Sequence, residues 1–411
     1  MKLMSLLVLG AWCLSALGQQ STSSTTVPIT LDHNRVIIDV FLPQPDGSKT
    51  RVRGWVDTGN PDLWMTERLA KKVGLELTGE PQPALVGKKR VAPAPKQMLV
   101  GTLNVPLTGI KEAQVMLNSE SIGPGTSAEI NLPSILLRNY DVIIDYRNRE
   151  LTLAAPGTAK FEGTSAKAMV NSENGMIALP SVLETNKQAA VLDIGATVSF
   201  LWADLLEKLH AQHSNWAHMV GAVGPANLWG IDSEPKWDLL RIPAMQFGSA
   251  ELRNVIAASL PDEFKSAMEK RTGTPTLGLI GADALLNYKV GIDYAHATVY
   301  FQQVSKYTPP GIDVVGLVLR PEVDGRYTVI GVPSYEGKPA VADVHVGDRL
   351  ISVDGGRATG ATMGQVWSLL EGSPGTVRTL VLERDGRQFT VKAPIREFLP
   401  SAKAPAKLRT R

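Results

Sequence analysis

The apolar residues of this chain fall mostly in short runs that polar and glycine residues interrupt. Val36–Val40 is one such run and is typical of a buried β-strand. Two others, Gly54–Val56 and Ala190–Leu192, each lead directly into an aspartate, Asp57 and Asp193. Short runs bounded by turn-forming residues predict strands rather than long helices. We therefore expect a mainly β chain with short helices.

The order of residues after the first aspartate is repeated after the second. An apolar segment leads into a helix-forming segment over Leu63–Gly74 and again over Ser199–Leu209. In the first copy Thr66 can cap the helix, and the final glycine can end it. Farther on, Asn139–Tyr146 is matched by Asn287–Tyr294. An ordered repeat of this kind predicts two copies of one structural unit.

The motif at each aspartate carries a family resemblance. Asp57-Thr58-Gly59-Asn60 and the residues after it resemble the first-lobe signature of pepsin-like aspartic proteases. The helix-forming segments are similar to those of bacterial retropepsin-like enzymes. The resemblance covers about residues 27 to 303 and implies that Asp57 and Asp193 are the catalytic pair. It further implies these supporting residues: Thr58, Gly59, Asn60, Gly195, Ala196 and Thr197.

Two carboxyl groups held close together cannot both ionise cheaply, so they share a proton, and aspartic proteases are the standard example of this coupling. The ionised carboxylate takes a proton from a water that attacks the peptide carbonyl, and the protonated partner polarises that carbonyl. The resemblance thus implies an aspartic endopeptidase that acts on protein or peptide substrates and needs no cofactor.

Several positions depart from the family pattern. Ile194 stands where the family has threonine, so one of two cross-lobe hydroxyl bonds is expected to be absent. The glycine of the supporting element Leu279–Asp283 has no counterpart in Ile130–Pro133. Between Met65 and Asn139 there is no aromatic residue, so the sequence identifies no flap residue. These departures leave an alternative open, a catalytically impaired, protease-like protein that binds peptides or acts as a scaffold.

The N-terminal residues predict export. Lys2 precedes the apolar run Leu3–Leu17, and small residues allow cleavage near Gly18, as in a secretory signal peptide over residues 1–18. A periplasmic or extracellular location in a bacterium follows from this prediction. The only cysteine, Cys13, lies within the run, so no disulfide is expected after cleavage. No other apolar run is long enough to predict an integral membrane span.

The composition narrows the expected partners. The formal net charge of +2 gives no reason to expect a nucleic-acid partner. The six histidines do not cluster with other ligands at metal-binding spacing, so no metal site is expected. The last residues, 401–411, combine basic residues with Ala and Pro and predict a disordered tail.

A further module is predicted after Thr308–Gly311. The string Gly347–Gly355, which reads G-D-R-L-I-S-V-D-G, resembles bacterial PDZ domains, which combine a β-sandwich with helix. Such a domain accepts a peptide tail as an added strand. The resemblance implies these peptide-binding residues: Gly316, Leu317, Val318, Leu319 and Val366.

The predicted organisation is therefore a signal peptide, two lobes, a PDZ-like module and a tail. The predicted ranges are 1–18, 27–156, 164–303, 312–396 and 401–411. A proline-containing linker at Thr308–Gly311 is expected to be stiff and to make few contacts. We therefore expect the module to be independent of the two lobes and to deliver substrates to them.

Overall fold

The computed structural model of the chain describes residues 23–84, 87–221, 234, 236–306 and 311–401. The predicted signal peptide, most of the predicted linker and nearly all of the predicted tail lie outside these residues. In the part of the chain that is described, no helix is long and apolar enough to cross a membrane.

Around the first aspartate the elements are mostly strands. They are β1 (Ser24–Pro28), β2 (Thr30–Asp32), β3 (Arg35–Pro43), β4 (Lys49–Asp57), β5 (Leu63–Thr66), α1 (Glu67–Lys72), β6 (Thr78–Pro83), β7 (Lys88–Pro93), β8 (Gln97–Val100), β9 (Leu103–Pro106), β10 (Glu112–Met116), β11 (Ile130–Pro133), α2 (Ser134–Leu137), β12 (Asp141–Asp145) and β13 (Glu150–Ala154).

The elements around the second aspartate follow the same plan. They are β14 (Thr164–Lys167), β15 (Met169–Val170), β16 (Ile177–Leu183), β17 (Asn186–Leu192), β18 (Ser199–Trp202), α3 (Ala203–Gln212), β19 (His218–Val220), β20 (Asp238–Phe247), β21 (Ala250–Leu260), α4 (Lys265–Thr272), β22 (Thr276–Ile280), β23 (Tyr288–Asp293) and β24 (Thr298–Gln303).

The C-terminal module is also mainly β. Its elements are β25 (Asp313–Val314), β26 (Val318–Pro321), β27 (Tyr327–Gly331), β28 (Ser334–Tyr335), β29 (Lys338–Pro339), β30 (Arg349–Val353), β31 (Gly356–Arg357), α5 (Met363–Leu370), β32 (Val377–Arg384), β33 (Arg387–Pro394) and β34 (Arg396–Glu397).

Each repeated unit, here called a lobe, has its own sheet. The first sheet has the order β6-β7-β10-β5-β11-β4-β3-β8-β9, and the second has the order β15-β16-β17-β22-β18-β21-β20-β19. In the first, β11 pairs parallel to β4 and antiparallel to β5. In the second, β22 makes the same two kinds of pairing with β17 and β18. The prediction of a mainly β chain with two duplicated lobes is confirmed.

A third sheet joins the two lobes, in the order β1-β13-β12-β23-β24-β14. At its centre β12 and β23 pair antiparallel, with Asp141 opposite Asp293. These two strands come from the repeated Asn-Tyr segments of the sequence. The shared sheet therefore fixes how the lobes face one another.

The helix predicted after the first motif is present. The Thr66 hydroxyl accepts a hydrogen bond from the Leu69 amide at the start of α1. Gly74, with φ of +76°, follows the helix in the left-handed conformation that favours glycine. The predicted cap and stop are both confirmed, because each depends only on neighbouring residues.

The module is packed against the lobes. One buried apolar cluster contains residues of both the second lobe and the module, among them Val198, Phe200, Trp237, Ile256, Ile312, Leu317, Val318 and Val366. The Arg241 guanidinium also donates to the Leu399 carbonyl at 2.7 Å. The module thus shares a buried apolar surface with the second lobe, which the expectation of an independent module did not include. A linker sequence reports the path of the chain between two units and carries no signal for a shared apolar surface.

Candidate active site

The two predicted aspartates lie at equivalent turns, where β4 and β17 end. The buried Thr58 hydroxyl connects these turns. It donates to the Leu192 carbonyl at 2.7 Å and accepts from the Ile194 amide at 3.0 Å. One side chain of the first lobe thus bonds both a carbonyl and an amide of the second lobe. Ile194 is fully buried and makes no equivalent side-chain bond, as its sequence predicts.

The carboxyl groups approach each other across these turns. A Cβ atom added to Gly59 would lie 2.2 Å from Cγ of Asp193. A Cβ atom added to Gly195 would lie 2.5 Å from Oδ1 of Asp57 and 3.2 Å from Oδ1 of Asp193. The two Oδ1 atoms therefore lie within about 6 Å of each other, close enough for one charge to oppose the other. Both glycines are required here, since any side chain would displace a carboxylate.

Burial raises the pKa of Asp57 well above its ordinary value, and the charge of Asp193 raises it further. Hydrogen bonds from the Gly59 amide and the Asn60 side chain act in the opposite direction. Burial also raises the pKa of Asp193, against hydrogen bonds from the Ala196 and Gly195 amides. Two such groups can hold one proton between them, which leaves one acid and one base at the same place.

The first lobe has its own solution for the missing glycine. In the second lobe Gly281 lies so close to Val198 that an added Cβ would be 2.2 Å from the Val198 carbonyl oxygen. Pro133 takes the equivalent place opposite Asp57. Asn131 lies two residues before Pro133 in β11. Its side-chain oxygen accepts from the Trp64 amide at 2.7 Å, and its side-chain nitrogen donates to the Asp62 carbonyl at 3.0 Å. A side-chain amide here replaces a backbone pairing between Phe200 and Leu279 in the second lobe.

The remaining predicted support residues also surround the pair. The Asn60 carbonyl accepts from the Ser134 amide at 3.0 Å, which ties the first turn to α2. The Ala196 amide donates to Oδ1 of Asp193 at 3.0 Å. The Thr197 carbonyl accepts from the Asn34 side chain at 3.2 Å and so adds a further link between the lobes. The structure therefore brings together Asp57, Asp193 and all six predicted support residues.

A cavity of about 260 Å³ opens over the two aspartates. Its walls are mostly apolar, with Trp55, Trp64, Met116, Ile122 and Phe200 among the lining residues. Trp64 and Phe200 occupy the same place in the two copies, seven residues after the aspartate. Ala84, at the end of the hairpin strand β6, also lines the cavity. This hairpin lies in the segment between Met65 and Asn139, which contains no aromatic residue and in which the sequence identified no flap residue.

Sequence reasoning did not identify Arg35, Trp55 or Trp64 as site residues. Trp55 could have been found, because it lies two residues before Asp57 in one strand and so shares its face of the sheet. Trp64 could have been found from the repeat, because it aligns with Phe200. Arg35 carries no such signal, because its place beside the cavity depends on how β3 packs.

The predicted peptide-binding residues of the module are buried. Gly316, Leu317, Val318, Leu319 and Val366 all lie inside the apolar cluster or against it. The start of α5 contacts the first lobe, where the Met363 amide donates to the Gly125 carbonyl at 2.7 Å. Gly123 and Pro124, immediately before this residue, line the cavity over the aspartates. The module and the cavity are thus adjacent.

Comparisons with known proteins include distant structural likenesses. No protein-family model matches the chain, and no curated protein matches it. An aspartic proteinase from Irpex lacteus is similar over 69% of this chain and 99% of its own, with 14% identity and a TM-score of 0.40. A photosystem II D1 C-terminal processing protease is similar over 21% of this chain and 23% of its own, with 22% identity and a TM-score of 0.19. At these scores neither likeness supports an argument about function, which has to come from the site itself.

Proposed function

We propose that this chain is an aspartic endopeptidase that hydrolyses peptide bonds with a water activated between Asp57 and Asp193. The observation that supports it most is the approach of the two carboxyl groups across opposed glycine turns, with raised pKa values caused by burial. The ionised member acts as general base toward the water, and the protonated member donates to the peptide carbonyl.

The shape of the cavity supports a peptide substrate. Aromatic and aliphatic side chains cover its walls, and the dyad lies on its floor. Apolar walls favour substrate side chains of the same character, while the low dielectric of such a site strengthens the interactions of the dyad with the reacting groups. The cavity is therefore suited to the apolar side chains of a peptide substrate.

The alternative is a catalytically impaired protein that binds peptides without cleaving them. Two departures from the family pattern suggest it: Ile194 stands where the family has threonine, and Pro133 stands where the second lobe has a glycine. Two observations favour activity instead: Thr58 bonds both the carbonyl and the amide of the opposite turn, and Asn131 supplies the bonds that a glycine-containing element would otherwise provide. Neither departure leaves the turn that carries an aspartate without support.

The proposal extends to location and to the module. Export to the periplasm or the exterior is motivated by the N-terminal pattern alone, which lies outside the described residues. Binding of peptide tails by the module is motivated by its PDZ-like sequence. Because Gly316–Leu319 and Val366 are buried, such binding requires a rearrangement that exposes them.

The experiment is a cleavage assay on an unfolded protein at acidic and neutral pH, with and without a transition-state inhibitor of aspartic proteases. The proposal predicts cleavage that the inhibitor abolishes. Binding of the unfolded protein without cleavage at any pH would support the impaired alternative. Cleavage that the inhibitor leaves unchanged would contradict the assignment of the aspartates.

A further inference from the structure

Arg35, at the start of β3, lies in the wall of the cavity that contains the two aspartates. Only 1% of the residue is exposed. Its Nε donates to the Asp32 carbonyl at 3.2 Å, whereas its Nη2 is buried and has no hydrogen-bond partner. Guanidinium groups are rarely buried without a partner, because the desolvation of the charge is costly.

A second donor in the same wall is also without a partner. The Trp55 ring lies beneath the guanidinium, with 5.2 Å from Cζ of Arg35 to the ring centroid. Its Nε1 is buried and makes no hydrogen bond. Trp55 lines the cavity as well. Two neighbouring donors, one of them charged, therefore lack an acceptor beside the same cavity.

The acidic residue nearest to Arg35 in sequence does not supply this acceptor. Oδ1 of Asp32 accepts from the Thr362 hydroxyl at 2.8 Å and from the Gly364 amide at 2.9 Å, which directs this oxygen at α5. Oδ2 of Asp32 is buried and makes no hydrogen bond, so it does not pair with the guanidinium either. Among the described residues, no carboxylate oxygen is found within ion-pair distance of the Arg35 guanidinium. Burial lowers the pKa of Arg35, and the charges of Asp32 and Tyr327 offset only part of this effect.

We propose that Arg35, with Trp55, binds a carboxylate of the substrate and so determines its specificity. A guanidinium donates two parallel hydrogen bonds to a carboxylate, and an indole N–H can donate to a further lone pair. The inference rests on the proposed function, since it takes the cavity as the substrate site. The carboxylate belongs either to an acidic side chain or to the C-terminus of the peptide.

The size of the cavity limits where this carboxylate lies along the substrate. A volume of about 260 Å³ corresponds to a sphere about 8 Å across, which an extended chain crosses in two or three residues. The acidic group therefore belongs to a residue within about three positions of the bond held by the dyad. Apolar residues fill the other positions, in keeping with the remaining walls.

Binding is measured with Asp193→Asn, so that no peptide is cleaved during the titration. The probes are eight-residue peptides of apolar and neutral residues that carry Glu or Gln at each position in turn, and the same peptides with a free or amidated C-terminus. Arg35→Met removes the charge with little change of length, and Trp55→Phe removes only the indole donor. Arg51→Met, which removes an exposed arginine paired with Asp39, is the matched control.

One carboxylate peptide should bind about 10- to 100-fold more tightly than its neutral partner. Arg35→Met should abolish this difference, Trp55→Phe should reduce it, and Arg51→Met should leave it unchanged. A preference for Glu at one position identifies an acidic side chain, whereas a preference for the free terminus identifies a C-terminal carboxylate. If Arg35→Met does not fold, the Trp55→Phe titration carries the test.

Equal binding of all pairs, a difference that persists in Arg35→Met, or no binding by the folded protein would overturn the inference. Cleavage of both members of a pair at equal rates by the wild-type chain would refute the specificity and leave the proposed function intact. A carboxylate preference in binding, combined with no cleavage by the wild-type chain, would refute the proposed function and leave the role of Arg35 intact.

Discussion

Thr58 is the residue whose side chain bonds both backbone groups of the opposite catalytic turn. Thr58→Val keeps the shape of the side chain but leaves the Leu192 carbonyl and the Ile194 amide unpaired. Because each buried unpaired group costs about 1–3 kcal/mol, the free energy of unfolding should fall by at least about 2 kcal/mol. Urea denaturation measures it. Thr58→Ser keeps the hydroxyl and serves as the control; an unchanged free energy of unfolding in Thr58→Val would show that the two hydrogen bonds do not stabilise the fold.

His33 makes stability depend on pH. It is buried and stacked on Trp367 with 5.1 Å between ring centroids, and burial, followed by the charge of Arg35, holds its pKa well below its ordinary value of 6.5. The folded protein therefore keeps His33 neutral, whereas the unfolded chain protonates it below about pH 6.5. Above about pH 6.5 His33 is neutral in both states and does not reduce the free energy of unfolding. As the pH falls from there toward the lowered pKa of the folded state, the unfolded chain gains the proton and the free energy of unfolding decreases.

Removing this titration should flatten the dependence of stability on pH. Asn tolerates the left-handed backbone of His33, whose φ is +52°, so His33→Asn is the suitable variant. Between pH 7.5 and 5 the wild type should lose up to about 1.4 kcal/mol per pH unit through this one group, and the variant should lose correspondingly less. Urea unfolding at several pH values provides the comparison. Parallel curves for the two proteins would rule out His33 as the source of the slope.

The residues of the site divide into those that local sequence identifies and those that it does not. Asp57, Asp193 and their glycines were predicted because the motif and its repeat are contained in a few consecutive residues. Asn131 and Arg35 were not, because their roles depend on contacts with residues far away in the chain. Asn131 bonds the backbone of β5, and Arg35 reaches the cavity only once β3 is packed in its sheet.

Helix α5 is the element that connects the module to the first lobe. The Asp32 carboxylate accepts from Thr362 and Gly364 at its N-terminus, where a negative charge is also favoured by the helix dipole. Asp32→Ala should lower the free energy of unfolding by about 1–3 kcal/mol. It should also raise hydrogen exchange in Met363–Leu370, while Asp46→Ala, in an exposed turn where the carboxylate bonds Ser48, should leave the exchange of α5 unchanged. Unchanged exchange in α5 would show that Asp32 does not hold the helix.

Secondary-structure elements could be predicted from the sequence where a few neighbouring residues determine where they begin or end. The Asp385-Gly386 turn between β32 and β33 has φ values of +51° and +74°, as expected of a two-residue hairpin turn. Helix α5 likewise begins at a local signal, a capping box formed by Thr362 and Gln365. Its contact with Asp32 could not be predicted, since 330 residues separate Asp32 from Thr362.

At the scale of the whole molecule, the second lobe and the module share one buried apolar cluster. A chain ending at Lys306 would lack the module's part of this cluster and would expose the apolar surface of the second lobe that packs against it. Burial of one such side chain stabilises by about 1.5–3 kcal/mol, so the shortened chain should melt at a clearly lower temperature or precipitate. Differential scanning calorimetry of the two chains compares them. Equal melting temperatures would show that the lobes do not depend on the module for stability, as the linker sequence suggested.

In the proposed mechanism Asp57 and Asp193 act together through one shared proton. The cleavage rates of Asp57→Asn and Asp193→Asn are measured across pH 3 to 8, beside those of the wild type and of Asp62→Asn, whose side chain is about half exposed. Because Asn is nearly isosteric but cannot ionise, each dyad variant should lose cleavage at every pH and still fold, while Asp62→Asn should remain active. Cleavage at a substantial fraction of the wild-type rate by either dyad variant would contradict the account.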